Sequence, residues 1–336
     1  VPGRKRLRLA VLNAGAPAPG LNTAVRAAVR LGLDRGHEML GVDGGVSGLL
    51  DGVLRPLDWM SVTAWAGRGG SELGTDRVVP DAAGVARIAD VLKDAAIDGL
   101  LVIGGGEGYE TAHALLASDR IRIPIVCLPA SIANDLPGSE RSVGSDTALN
   151  QIMHAVDAIK QSALATRRAF VVEVMAGTWG WLALSSGLAC GAERVYLHEV
   201  GVTLDDLRRE VEYLIEGFEH GKRLGLVIRN VRANAIYDTD FTVKLFEEEG
   251  GDLFDVRKSI LGHLQQGGDP SPFDRILAAR LAARCIEWLD DQGLAGKREG
   301  AMVGVQYGEL TMHDLAGLPE VWDPEHRRPA DPWWLA

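Results

Sequence analysis

Twice near its start the chain passes from a short apolar run, through a turn of small residues, into helical spacing. Residues 7–12 (LRLAVL) lead through NAGAPAPG into LNTAVRAAVRLGLDRG, with Gly36 as the stop. A helical pattern over 83–96 precedes GLLVIG at 99–104, which leads through GGEGY into a helix from about residue 109. This order writes a parallel α/β sheet. Parallel strands are buried on both faces, so they read as continuous apolar runs, and the chain returns between them through a helix. A third apolar run, 121–128, feeds the polar loop Pro129-Ala130-Ser131-Ile132-Ala133-Asn134-Asp135, which Pro137 and Gly138 follow. The loop therefore stands at the carboxyl end of a strand, where open α/β sheets hold their ligands.

The same alternation continues. Residues 146–164 read as a helix leading into the strand 169–174 (AFVVEV), and 225–230 (GLVIRN) reads as another strand. SILGHLQQGG (259–268) reads as a strand entering a glycine turn, and 273–290 carry a helical stripe through Phe273, Leu277, Leu281, Cys285 and Trp288. The tail after Gly308 looks irregular, rich in tryptophan and proline, and no internal repeat or low-complexity tract appears.

At 336 residues the chain exceeds one ordinary core, so two domains or lobes are expected. A formal charge of −11 argues against a nucleic-acid partner, and any anionic ligand must be met by locally gathered arginines. Cys127, Cys190 and Cys285 are far apart, odd in number and set among apolar residues. They read as buried thiols of a cytoplasmic protein, not as a disulfide framework or a metal site. No apolar run reaches membrane-spanning length, and there is no signal-peptide core. The opening VPGRKRLR, beginning at Val1, reads as an excised domain or a linker from a longer polypeptide.

Small-residue turns at helix starts present N–H groups beside the positive end of the helix dipole, which suits phosphate. The turn at 13–20 matches neither GxGxxG nor the Walker pattern, and tight strand-to-helix turns use the same residues without any ligand. Gly104-Gly105-Gly106-Glu107-Gly108 is more telling, because two such turns on neighbouring strands can face one phosphate chain. A dinucleotide oxidoreductase also wants an acidic residue ending a second strand about twenty residues after the turn. None is evident in the sequence.

With these pieces in order the chain resembles the phosphofructokinase family over essentially its whole length, most closely the carboxy-terminal, regulatory half of the tandem eukaryote-type enzyme. The strings that carry the resemblance are GAPAPGLNTAVR, GGSELGTDR, VIGGGEGY, PASIANDLPGSERSVGSDTALN, VVEVMAG, DVRKSILGHLQQGGDPSPFDR and EHRRPADPWW, in family order and spacing. The implied fold is α/β, two Rossmann-like three-layer lobes with largely parallel sheets. The larger, nucleotide-derived lobe would take 1–144 plus 265–312. The smaller, sugar-phosphate lobe would take 145–264 plus 313–336.

The resemblance also shows what is missing. Catalytic members read GGDGS at the nucleotide turn, where the aspartate helps to hold magnesium; here that place is Gly106, followed by Glu107. They read TIDND at the catalytic loop, where the first aspartate deprotonates the sugar hydroxyl; here it is Ala133, while the second survives as Asp135. The first turn, normally GGDAPG, is Gly15-Ala16-Pro17-Ala18-Pro19-Gly20. Loss of a general base alone costs about two to four orders of magnitude in rate. Asp135 is thus a residual catalytic group at most. Gly15, Gly104, Gly105, Gly106 and Glu107 form a nucleotide-site remnant, and Mg2+ and ATP are expected only if catalysis persists.

By the same resemblance the sugar-phosphate site, that of fructose 2,6-bisphosphate in the regulatory half, draws on Arg77, Ser131, Ala133, Asn134, Arg168, Met175, Gly177, Arg257, His263 and Arg327. Guanidinium forks suit phosphate oxygens, and two phosphates need several of them. Taken singly, Arg77 and Arg327 read as solvated charges and Arg257 as a salt-bridge partner of Asp255. His263 would read as a satisfied core residue and Met175 as packing. Val231 replaces a glutamate expected to bond the sugar hydroxyls, Ala176 replaces a glycine, and Gln265-Gln266 follows the regulatory pattern.

Arg26 and Arg30, one helical turn apart, with Lys160, Lys222 and Arg223, match or nearly match cationic positions of the effector site of the family's bacterial members. The alternative for them is a solvated helix face. The implied protein is a regulatory, sugar-phosphate-binding half with impaired catalysis. It would partner a catalytic half or subunit in a homo- or hetero-oligomer (dimer or tetramer). The alternative is an active 6-phosphofructokinase of glycolysis, transferring phosphate from ATP to fructose 6-phosphate.

Overall fold

The computed structural model describes residues 6–335; Val1–Lys5 of the basic opening, and Ala336, lie outside the described residues. In chain order the first elements are β1 (Arg8–Ala14), α1 (Leu21–Asp34), β2 (Glu38–Val42), α2 (Gly45–Asp51), β3 (Leu54–Leu57), α3 (Ala82–Asp94), β4 (Gly99–Gly104), α4 (Gly106–Ala117) and β5 (Ile125–Pro129). Then come α5 (Ser145–Leu164), β6 (Arg168–Val174), α6 (Trp181–Cys190), β7 (Arg194–Tyr196), α7 (Leu204–Glu219), β8 (Leu224–Asn230), α8 (Thr239–Gly250) and β9 (Asp255–Ile260). The last are α9 (Pro272–Ala295), β10 (Gly300–Gln306), β11 (Glu309–Asp314), α10 (Leu318–Val321), β12 (Trp322–Asp323) and β13 (Arg328–Pro329).

Two units emerge, one of residues 1–147 and 266–332, the other of 148–265 and 333–336, with the division inside α5. The first holds a seven-stranded sheet in the order β11-β10-β5-β4-β1-β2-β3. Its pairings are parallel except at the two edges, where β11 and β3 run antiparallel. Alternate residues of each strand go to opposite faces. Leu9, Val11, Leu101, Ile103, Val126 and Leu128 join a core with α1 and α9. Ala10, Leu12, Leu100, Val102, Ile125 and Cys127 join a second core with α2, α3 and α4. Every residue of β4 and β5 is buried, which is why both appear in sequence as unbroken apolar runs.

The second unit holds an all-parallel sheet in the order β7-β8-β6-β9. Ala169 and Val171 of β6 pack there with Phe218, Phe246 and Phe254. Its helices carry explicit starts: α7 opens with a Thr203–Asp206 capping box, and Asp238 caps α8.

Three expectations change. The tail is not irregular: β11 pairs along its whole length with β10, and β12–β13 form a small hairpin. For the same reason 313–332 belong to the first unit, not the second. Leu315, Leu318 and Trp322 enter the apolar cluster on one face of its sheet, and only the residues from Trp333 onward go with the second unit, where Trp334 meets Trp179 edge-on at 5.4 Å. The strand expected to enter a glycine turn within 259–268 ends at Ile260; Gly262, at φ +51, breaks the extended run, and 262–266 form a 3-10 turn. The stripe of α9 buries Leu277, Leu281 and Cys285 but leaves Phe273 exposed. The three cysteines are buried free thiols.

Candidate functional site

The first unit's sheet reverses direction between β1 and β4. β1 continues to β2 on one side and β4 to β5 on the other, so the turns after them diverge and leave a crevice at their carboxyl ends. Ala14 and Gly104 are directly paired there. Gly104 must be glycine, because a Cβ would lie 1.7 Å from the Ala14 carbonyl oxygen. Beyond it the Gly105 N–H donates to that same oxygen at 3.2 Å. The first turn is strapped by its neighbour loop: the Gly15 N–H donates to the Asp76 carbonyl at 2.6 Å, and Thr75 Oγ1 donates to the Gly15 carbonyl at 2.8 Å. Arg77, next in the chain, is exposed and has no ion pair among the described residues.

The helix after the second turn starts earlier than its sequence spacing implies. α4 begins at Gly106, its N-cap Gly105 offers no side-chain cap, and Glu107 supplies the acid of the first turn. That carboxylate lies within the turns: its Oε2 is 3.1 Å from where a Cβ at Gly15 would stand, and 3.8 Å from one at Gly105. Gly106 faces the tail. A Cβ there would lie 2.8 Å from the Cη2 and Cζ2 atoms of the Trp322 indole. Trp322 is buried, and its Nε1 donates to Glu110 Oε1 at 3.1 Å. Arg327 completes the cluster, with Nη2 3.1 Å from Glu110 Oε2 and Nη1 3.8 Å from Glu107 Oε1.

On the next strand, β5, the loop 131–135 is held by its own side chains. The Ser131 hydroxyl donates to Asp135 Oδ1 at 2.6 Å and accepts the Ala133 N–H at 3.2 Å. Asn134, in the left-handed region at φ +57, accepts from the Ser142 N–H at 2.7 Å and donates to the Glu140 carbonyl at 2.9 Å. Ala133 is buried and brings no polar atom on its side chain. Burial pushes the Asp135 carboxyl up to about 6; the Ser131 hydrogen bond opposes this and the Glu107 charge adds to it. So Gly15, Glu107, Ser131, Asp135 and Arg327 do come together within the first unit, whereas Ala133, where the resemblance expects a base, brings only a buried methyl.

The remaining candidates lie on the second unit, except Arg26 and Arg30. Arg168 opens β6 and pairs with Asp255 at 3.3 Å; Arg257 on β9 lies 3.5 Å from Asp255 and 3.7 Å from Glu247. The salt-bridge reading of Arg257 therefore holds as far as its surface contacts go. His263 is exposed on the 3-10 turn, which overturns its reading as a core histidine; Met175 is only partly buried. Gly177 stands at φ +54 with open space around it, and Ala176 at φ +148 holds a backbone conformation that suits glycine. Val231 follows β8, partly buried.

On α1, burial and the Arg30 charge lower the pKa of Arg26, and Arg30 lies over the Trp59 ring at 5.4 Å. This pair is thus partly sequestered, not a freely solvated face. In the second unit Lys160 donates to the Cys190 carbonyl at 2.9 Å, Lys222 pairs with Glu193 at 2.8 Å, and Arg223 is exposed.

Sequence reasoning missed three participants. Trp322 and Glu110 were invisible because their role depends on a tail that folds back onto α4. Asp43 was missed with β2: it follows that strand, so an acidic residue does stand where ribose recognition would want one, but Arg55 Nε already holds it at 2.7 Å. Among the described residues no group of three or more acidic, histidine or cysteine side chains is placed to hold a metal, and no helix is long and apolar enough to cross a membrane.

Comparison with known proteins identifies the family and the fold. The family profile of phosphofructokinase matches residues 8–289. The human muscle-type ATP-dependent 6-phosphofructokinase is 41% identical over 97% of this chain and 44% of its own length. The rat platelet-type enzyme is 40% identical over 99% of the chain and 44% of its length. Among solved structures, phosphofructokinase from Saccharomyces cerevisiae superimposes with a TM-score of 0.94 at 34% identity, covering 98% of this chain and 46% of that one. A pyrophosphate-dependent phosphofructokinase from Marinobacter aquaeolei, at 15% identity and a TM-score of 0.76, shares the fold. The chain spans less than half the length of the curated relatives it matches.

Proposed function

The chain belongs to the phosphofructokinase family, and from that premise we propose that it is a regulatory half: it binds a phosphorylated hexose of the fructose bisphosphate class and transfers phosphate poorly or not at all. The observation that carries this reading is the loop 131–135. Ser131 and Asn134, the residues expected on the sugar side, are present and rigidly held, while the place of the proton-abstracting carboxylate is the buried methyl of Ala133. Asp135, the surviving carboxylate, is already engaged by Ser131. Arg77, exposed and without an ion pair among the described residues, supports an anionic ligand at the same end of the first unit. In this reading the ligand acts by preferring one arrangement of a cytoplasmic oligomer that includes a catalytic half, so binding at one site changes activity at another.

One observation favours a second reading, an active 6-phosphofructokinase of glycolysis. A carboxyl raised to about 6 is well matched to general-base work near neutral pH, and Asp135 is such a group. Two measurements separate the readings. Calorimetry with fructose 6-phosphate and the fructose bisphosphates should give saturable binding that Arg77→Ala weakens at least tenfold. Absence of heat with every hexose phosphate sinks the binding reading. Turnover by the isolated chain that disappears in Asp135→Ala establishes the kinase and removes the regulatory proposal.

A further inference from the structure

The nucleotide-site remnant is neither empty nor merely short of a carboxylate; it is filled by residues of the same chain. A phosphate chain at two facing glycine turns needs open N–H groups and free space between them. The Gly15 and Gly105 N–H groups already donate to carbonyls, but α4 starts at Gly106 without a side-chain cap, so its first turn still presents N–H groups. The free space is absent. The Glu107 carboxylate lies 3.1 Å from the Cβ position of Gly15, and the six-membered ring of Trp322 lies 2.8 Å from that of Gly106. Gly106 stands where the resemblance puts a metal-directed carboxylate, and the indole lies where a side chain at this position would begin. Glu110 fixes the indole through its Nε1, and Arg327 ties Glu110 and Glu107 to the same hairpin. A magnesium–nucleotide complex does not fit these residues: one wall is apolar, and the other carries a negative charge where phosphate oxygens would lie.

We infer that Trp322 and Glu107 occupy the place of a nucleotide's phosphates, and that Trp322 is the residue that excludes ATP and ADP from this turn. The first unit then serves one class of ligand. This inference does not depend on sugar-phosphate binding, since it concerns the neighbouring turn alone. It also accounts for Gly106 itself: any side chain at this position collides with the indole.

The test uses the full chain and a photoreactive azido-ATP, with peptide mapping so that labelling elsewhere, for instance near Arg26 and Arg30, is counted separately. The wild type should leave the peptide containing 104–110 unlabelled at millimolar nucleotide. Trp322→Leu keeps an apolar contact with Leu315 and Leu318 while withdrawing the ring from Gly106. It should label that peptide, with affinity raised at least tenfold, and Glu107→Gln should raise it further. Labelling of 104–110 in the wild type overturns the inference, as does an unlabelled peptide in a folded Trp322→Leu variant. Should Trp322→Leu fail to fold, Glu107→Gln alone must still raise labelling of the turn several-fold; no change there counts against the inference too. Fructose bisphosphate calorimetry on the same samples keeps this outcome distinct. Its failure would leave the result at the turn standing.

Discussion

The loop after β5 and the turn after β4 stand side by side, with Pro129 paired to Gly104 and the Ala130 N–H donating to the Gly104 carbonyl at 3.0 Å. Set beside the catalytic pattern that the family resemblance implies, they differ from it in opposite ways. In the loop, a methyl stands where the resemblance expects a carboxylate, inside a polar lattice in which Ser131, Asn134, Asp135 and Ser142 satisfy one another. In the turn, glycine stands at 106 where the resemblance expects a carboxylate, and the indole of Trp322, from a distant part of the sequence, lies against it. A deletion that leaves polar neighbours satisfied preserves a ligand surface. A deletion compensated by an indole replaces it with core. The two ends of the crevice therefore differ in what a reversing mutation can achieve.

The largest expected effect falls on the filled end. Trp322→Ala removes a buried ring and the partner of Glu110, and should lower stability by about 3–5 kcal/mol. Chemical denaturation measures it. A loss under about 1 kcal/mol means that the indole is not part of the core and that the contrast between the two ends fails.

Next comes the collision itself. Gly106→Ala should cost about 1–3 kcal/mol by overpacking in the wild type, and less than half of that in a Trp322→Leu background, because the atom it meets has gone. Equal costs in both backgrounds mean that some other contact limits Gly106. The comparison would then rest on Glu107 alone.

The second unit offers a smaller test of how such departures are tolerated. Ala176 holds φ +148 although it carries a Cβ, a backbone conformation that suits glycine. Ala176→Gly should therefore stabilise, or at least not destabilise, by up to about 1 kcal/mol, against the usual sign for a new glycine. Thermal unfolding that drops by several degrees would show that the methyl contributes packing that outweighs the strain.

Much of this was legible in the sequence, and for physical reasons. β1, β4, β5 and β8 are buried almost throughout and β6 at alternate and central positions, so their apolar runs stand out, and Leu277, Leu281 and Cys285 marked the buried side of α9. Ala133 and Gly106 were visible as departures because a motif surrounds each of them. What stayed hidden depends on long-range pairing. β11 alternates half-buried residues at a sheet edge and gives a weak pattern. Trp322 sits in a proline-rich tail that looks unstructured until it folds back onto α4. His263 was misjudged because an apolar run precedes it, yet Gly262 turns the chain outward before it. Local chemistry can be read along the chain, whereas the filling of a site by a segment more than two hundred residues away cannot.

The one pH-dependent effect tests the polar end, through the titration of Asp135. Its carboxyl is raised from 3.8 to about 6 in the folded chain, chiefly by burial. The native state therefore holds its proton more tightly than the unfolded chain between those values. Through this group stability falls as pH rises across that window, and the penalty is complete above about pH 6. Asp135→Asn removes the charge and keeps the shape, so it should stabilise the protein at pH 7.5, by about 1–2 kcal/mol given that the residue is only partly buried. The gain should shrink to nothing by about pH 4, where the native carboxyl is already protonated. Denaturant midpoints of both proteins at the two pH values read this directly. A variant less stable at pH 7.5, with the loss fading toward acid pH, would mean that the Ser131 hydrogen bond to a charged carboxylate outweighs burial. The loop would then be tuned to keep its remaining carboxylate ionised, and the second, catalytic reading would gain at the expense of the first.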